Sequence, residues 1–172
     1  MKTNMNRKGI SNVVATIILI AVAIALAVAV AVWVFGLAGS ASKTATLQIQ
    51  AVGLNNTAAL ATNGTAYLSL LVSNPSSAAI GINGFTLGSL SCVFSSPISV
   101  PAGTQGELLV IALTGSNGNF TGVNAIYLGG SPLSSISTTC SGKQAAQVGV
   151  QYSGYVTTVS GQTYPFTVTA TS

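Results

Sequence analysis

The chemistry available to this chain of 172 residues rests on very few side chains. It has one carboxylate, Glu107, five cations (Lys2, Arg7, Lys8, Lys43 and Lys143), two thiols (Cys92 and Cys140) and no histidine. Histidine is the commonest general base and the commonest metal ligand, so both roles lack their usual occupant. One carboxylate cannot form the acid and base pair of a glycosidase, and two thiols fall short of the four ligands that a structural zinc takes. A Ser–Lys dyad through Lys143 or Lys43 is the remaining catalytic arrangement. About forty residues are Ser or Thr, however, so abundance alone puts a serine near any lysine. No catalytic, cofactor-binding or metal-binding residue is expected, and an enzyme ranks last among the functions considered.

The net charge of +4 does not describe a basic face. Lys2, Arg7 and Lys8 precede Gly9, leaving Lys43, Lys143 and Glu107 for all that follows. Nucleic-acid binding needs clustered Lys and Arg to displace counterions from phosphates, so it is excluded. Cys92 and Cys140 have two readings. In an exported chain they form one disulfide, closing a loop of about 48 residues and contributing on the order of 4 kcal/mol by the chain-entropy model. Otherwise they are two reduced, buried thiols. Three Asn-X-Ser/Thr sequons begin at Asn55, Asn63 and Asn119, each expected in a turn, and are candidate N-glycosylation sites. Asn74-Pro75-Ser76 is excluded by its proline.

Two very different elements carry these residues. From Val13 to Leu37 only Thr16 and Gly36 interrupt an apolar run. As a helix it reaches roughly 37 Å, more than the ~30 Å hydrocarbon core of a bilayer. Its large apolar residues give an insertion term on the order of −5 to −9 kcal/mol. A secretory signal needs only about 7–15 apolar residues before its cleavage site, so a membrane-spanning helix is expected here. Lys2, Arg7 and Lys8 hold the N-terminus in the cytoplasm and send the rest outside. Between Ala21 and Val32 small and large residues alternate, which would suit a strand, but an open strand in lipid leaves its backbone unpaired. In a helix the alternation makes uniform rows, with Ala21, Ala25 and Ala29 beside Val22, Leu26 and Val30. Such rows form grooves and ridges on every side. A generic alanine-rich anchor and a helix surrounded by copies of itself both fit that pattern.

The residues just before the run favour the second. Arg7-Lys8-Gly9 meets Ile10 and "SNVVATIILI" with no polar spacer. This layout resembles the prepilin (class III) type of signal, and the chain resembles archaeal type IV pilins of the adhesive-pilus kind. The resemblance implies cleavage between Gly9 and Ile10 by a prepilin peptidase. It also implies assembly by a pilus ATPase on a membrane platform into a helical homopolymer, and adhesion to surfaces or other cells. Bacterial pilins carry a glutamate five residues into the mature chain; that place is Val14 here, which sets the chain apart from them. Once lifted from lipid, about fifteen large apolar side chains at roughly 2 kcal/mol each must meet water or other helices.

Gly36 to Lys43, "GLAGSASK", is expected to end the run and allow a bend. Beyond it lie short β-rich runs with turn signals between them: "TATLQIQAV", "TAYLSLLVS", "CVFSSPISV", "ELLVIAL", "NAIYLGG". Asn83-Gly84 is read as a tight hairpin turn. "AQVGVQYSGYVTTVS" and "QTYPFTVTATS" are read as a closing hairpin. Seven to nine strands at this spacing indicate a two-sheet sandwich of immunoglobulin-like type. The expected fold class is therefore α+β, with a leader at 1–9, a hydrophobic helix at 10–39 and an extracellular β-sandwich at 40–172. Tyr152, Tyr155 and Tyr164 are assigned to core packing or strand pairing ahead of a contact role.

The function expected from these readings is the major structural subunit of an extracellular, cell-surface adhesive pilus, whose precursor resides in the cell membrane. The alternatives are an archaeal motility-filament subunit and a membrane-anchored, pilin-like protein displaying a sugar-binding sandwich.

Overall fold

The structure is a computed structural model that describes residues 7–42 and 46–172, with side chains described for 11–37 and from 46 onward. Lys2 and the rest of residues 1–6, and Lys43 with the two residues after it, lie outside the described residues. The chain divides into two compact units, Met1–Thr44 and Ala45–Ser172.

The described residues of the first unit form one helix, α1 (Arg7–Ser42, 36 residues). At about 1.5 Å per residue it is roughly 54 Å long. It runs through Gly36 and on to Ser42, so the expected bend within Gly36–Lys43 is not present up to that residue. One glycine costs a helix interior about 1 kcal/mol, too little to stop propagation unless a competing cap takes over the carbonyls. The polar break at Thr16 is neutralised locally, because its Oγ1 donates to the Asn12 carbonyl at 2.8 Å, one turn back.

The second unit is a sandwich of two antiparallel sheets. In chain order its strands are β1 (Gln48–Asn55), β2 (Thr65–Asn74), β3 (Ile80–Leu87), β4 (Leu90–Val100), β5 (Thr104–Ser116), β6 (Asn119–Leu128), β7 (Ser131–Pro132), β8 (Thr138–Ser141), β9 (Gln144–Ala145), β10 (Gln151–Thr158) and β11 (Thr163–Thr169), with a 3-10 turn at Thr57–Thr62 after β1. One sheet has the order β1-β2-β5-β6-β7, with β9 also on β6; the other has the order β11-β10-β3-β4-β8. The β3–β4 hairpin crosses to the second sheet, and β5 returns to pair with β2, a Greek-key connection. β1-β2-β5 and β11-β10-β3-β4 occupy the places of strands A-B-E and G-F-C-C′ of an immunoglobulin-like sandwich. β6 fills the place of strand D but follows β5 in the chain.

Period-two patterning builds the core. Ala66, Leu68, Leu70 and Val72 of β2 are buried while the residues between them are not. Leu109, Ile111 and Leu113 of β5 meet Ile82, Phe85, Leu87 and Ile98 of the other sheet in one cluster. The sheets are tied along one edge by the C-terminal residues, where Leu54 and Ala170 form a parallel bridge. Beside it the Thr171 amide donates to the Leu54 carbonyl at 2.8 Å and the Thr57 amide donates to the Thr171 carbonyl at 3.0 Å.

Asn83 and Gly84 are not a turn; this corrects the hairpin reading. They lie inside β3, where the register shifts between Ile82 and Gly84. A Cβ at Gly84 would collide with the Cys92 carbonyl of β4, so the glycine serves close backbone approach at a bulge. The tight Asn-Gly turn is Asn117-Gly118, with φ of 54° and 70°, joining Ser116 of β5 to Asn119 of β6. β3 and β4 are joined instead through Gly88, at φ 58°.

Candidate functional site

Among the described residues the apolar helix presents a long unsatisfied surface. Ser11–Leu37 is long and apolar enough to cross a membrane, with a mean hydropathy of 3.2, and it is unburied. Exposure does not fall on any one side: Val22, Leu26 and Val30 are 53%, 61% and 58% exposed, and Trp33 and Phe35 are 67% and 77% exposed. A surface helix of a globular domain has one apolar stripe and one polar face. This helix has an apolar surface all round, as suits a bilayer or a bundle core. Ala15 and Ala23 leave a shallow hollow walled by Ile18, Leu19, Val22 and Leu26, wide enough to take a side chain of a neighbouring helix. Gly9 and Ile10, the expected cleavage position, lie on the backbone of α1, and their side chains are outside the described residues.

Cys92 and Cys140 are joined by a disulfide. It sits within one sheet, on facing positions of β4 and β8, not between the sheets as in antibody domains. The bond pins β8, a strand of only 4 residues, to the edge of a sheet that it would hold weakly through backbone bonds alone. Such a bond belongs to an oxidising compartment, and an N-terminal apolar helix belongs to a membrane anchor or signal.

The three sequons are brought to one end of the sandwich. Asn55 closes β1 opposite Tyr67, and Asn63 ends the 3-10 turn that leads into β2. Asn119 opens β6, next to that turn, where the Gly118 amide donates to the Leu60 carbonyl at 3.2 Å. Asn63 is an exposed residue at φ 58°. Asn55 is exposed and its Oδ1 accepts from Thr171 Oγ1 at 2.9 Å, while Asn119 is half-buried and its Nδ2 donates to the Asn117 carbonyl at 3.1 Å.

The tyrosines divide. Tyr152 is buried edge-on to Phe120, donating to the Ala145 carbonyl at 2.7 Å and accepting from the Gln147 amide at 2.9 Å, a core role. Tyr164 accepts from the Leu47 amide at 3.2 Å and so ties the start of β1 to β11. Tyr155 is 43% exposed on the outer face of its sheet. Lys143 is exposed and Glu107 half-buried. Among the described residues no three His, Cys, Asp or Glu side chains come together as a metal site.

Sequence reasoning missed one surface. In β5 the run Leu108–Leu113 is apolar without alternation, so its side chains on both faces of the sheet are apolar, and one of those faces is not in the core. The unbroken "LLVIAL" was the available signal. Compared with known protein families and with curated proteins, the chain gives no match.

Proposed function

We propose that this chain is the structural subunit of an extracellular filament, an archaeal type IV pilus of the adhesive kind, polymerised through α1. The observation that carries the reading is that α1 is apolar and exposed on all sides, with small and large residues in alternating rows. A helix that only anchors a domain has no use for grooves on every flank, whereas one enclosed by copies of itself fills them. The Arg7-Lys8-Gly9-Ile10 layout supports a precursor held in the membrane and cut on its cytoplasmic side. In lipid the helix gains nothing by association, because the tails are equally apolar. After extraction its only apolar surroundings are other helices. A peptidase and an energy-consuming assembly machine are the partners this route requires. The β-sandwich, disulfide-pinned, almost uncharged and rich in Ser and Thr, is the part presented to the exterior, with Asn55, Asn63 and Asn119 available for glycans.

N-terminal mass spectrometry on fibres sheared from cells tests the proposal. An abundant fibre protein that begins at Ile10 is the expected result. Recovery of this chain only in membranes, beginning at Met1, would overturn it.

A further inference from the structure

The two outer faces of the sandwich differ in chemistry. On the β11-β10-β3-β4-β8 sheet hydroxyls predominate among the outward positions, with Thr86 paired with Ser91 and Ser153 with Thr167, and Val93 and Tyr155 are the large exposed exceptions. On the other sheet the outward positions of β5, Leu108, Val110 and Ala112, are all apolar, and of their partners on β2 only Ser69, opposite Val110, is polar. Leu71 faces Leu108, Val110 faces Tyr127 of β6, and Tyr67 faces Ala112. None of these six belongs to the core cluster. Leu108 is 39% and Tyr67 41% exposed, while Ala112 is 3% exposed, walled in by its neighbours on this outer face. The one charged side chain in β2, β5 and β6 is Glu107, and its partner in register is Val72, a core residue. The apolar face therefore carries no charge.

We infer that this outer face of the β1-β2-β5-β6 sheet is a contact between subunits, and that its occupant is a second copy of this chain. Area decides the occupant. Three rungs across three or four strands cover roughly 300 Å². A free-standing protein pair buries about 800 Å² on each side, so this face cannot hold an independent partner. A lone patch of this size becomes effective only toward a molecule already held nearby, when the second contact forms at high effective concentration. A copy gathered through α1 is such a molecule. An uncharged face also has no means of steering a foreign partner electrostatically, and water-exposed Leu, Val and Tyr in adjacent rungs gain by being covered. The face dominated by hydroxyls, with Val93 and Tyr155 its large exposed apolar side chains, gains less and is left to solvent. This inference rests on the filament reading and adds to it the surface by which neighbouring β-domains are held.

Two tyrosines form the test. Tyr67 and Tyr155 are 41% and 43% exposed and lie on opposite outer faces. A phenol-selective diazonium reagent is applied to intact fibres and to detergent-extracted subunits, and modification is read by peptide mass spectrometry. In extracted subunits the two should react within about threefold of each other; in fibres Tyr155 should react at least tenfold faster than Tyr67. A ratio near one in fibres, with both fast or both slow, overturns the inference and leaves the filament reading intact. Absence of fibres overturns both. As a second arm, Val110→Lys should lower fibre yield at least fivefold while Ser153→Lys leaves it unchanged, with formation of the Cys92–Cys140 bond in the membrane-held form confirming that each variant folds. Normal assembly of Val110→Lys, with or without loss of attachment to foreign surfaces, overturns the inference.

Discussion

Cys92 and Cys140 face each other across the β4–β8 ladder, their Cα atoms 4.1 Å apart and their sulfurs bonded. Cys92 is 1% exposed, so one half of the bond is part of the core, while β8 lies on the rim of the sheet. The bond closes a loop with a sequence separation of 48 and spans β5, β6 and β7, joining segments that the chain would otherwise bring together at a large entropic cost.

Replacing both cysteines by alanine should therefore destabilise the domain by about 4 kcal/mol. Denaturant midpoints of the wild-type chain with and without reductant, and of the double variant, measure this. Equal midpoints for oxidised and reduced protein would show that the constraint is irrelevant.

Small residues in α1 give a sharper contrast. Leucine in place of Ala25 favours the bilayer by up to about 0.5 kcal/mol at the helix centre, yet it fills a groove that a neighbouring helix needs. Ala25→Leu should insert into membranes at least as well as wild type and give several-fold fewer fibres. Quantifying membrane-held and sheared fractions by immunoblot separates the two effects. Unchanged fibre yield would favour a generic anchor.

The legibility of the fold follows from the reach of each signal. α1 was readable because an apolar run from Val13 to Leu37, interrupted only at Thr16 and Gly36, has few alternative fates, and β2 because Ala66, Leu68, Leu70 and Val72 alternate strictly. Its C-terminal limit was not readable: Gly36 and Gly39 look like stops, but a glycine ends a helix only where other groups satisfy the freed carbonyls. Asn83-Gly84 failed for a related reason. The dipeptide supplies a backbone that can turn, and in β3 close packing on the Cys92 carbonyl claimed that freedom for a bulge. Three of the strands, β7, β8 and β9, hold 2, 4 and 2 residues and exist through pairing, not local preference. Cys92 and Cys140 were legible as a pair, but their placement within one sheet was not. The outer face of β5 was written in Leu108–Leu113 and required the register to reveal which side chains missed the core.

Asn63 separates a conformational role from a chemical one. At φ 58° it occupies the left-handed region, which asparagine and glycine tolerate and alanine does not. Asn63→Gly should keep stability within about 0.5 kcal/mol, while Asn63→Ala should lose about 1 kcal/mol. If the sequon carries a glycan, both variants lose the same mass in intact-protein mass spectrometry. An unchanged sugar mass would remove Asn63 from the glycosylation sites.

Acid should matter little. Stability changes with pH only through groups that bind protons differently in the folded and unfolded chain, and this chain has one acidic side chain and no histidine. Fibre melting followed by circular dichroism should shift by less than about 5 °C between about pH 3 and about pH 8. A steep acid transition would contradict this.

The most direct measurement of the central claim is electron cryomicroscopy of sheared fibres, at a resolution that traces side chains. The expected map has α1 from Ile10 onward at the axis, its Ala21–Ala25–Ala29 row filled by residues of neighbouring copies, and the β-sandwiches outside. Fibres built of another protein, or a map with α1 exposed at the periphery, would contradict the claim that this helix exchanges lipid for copies of itself.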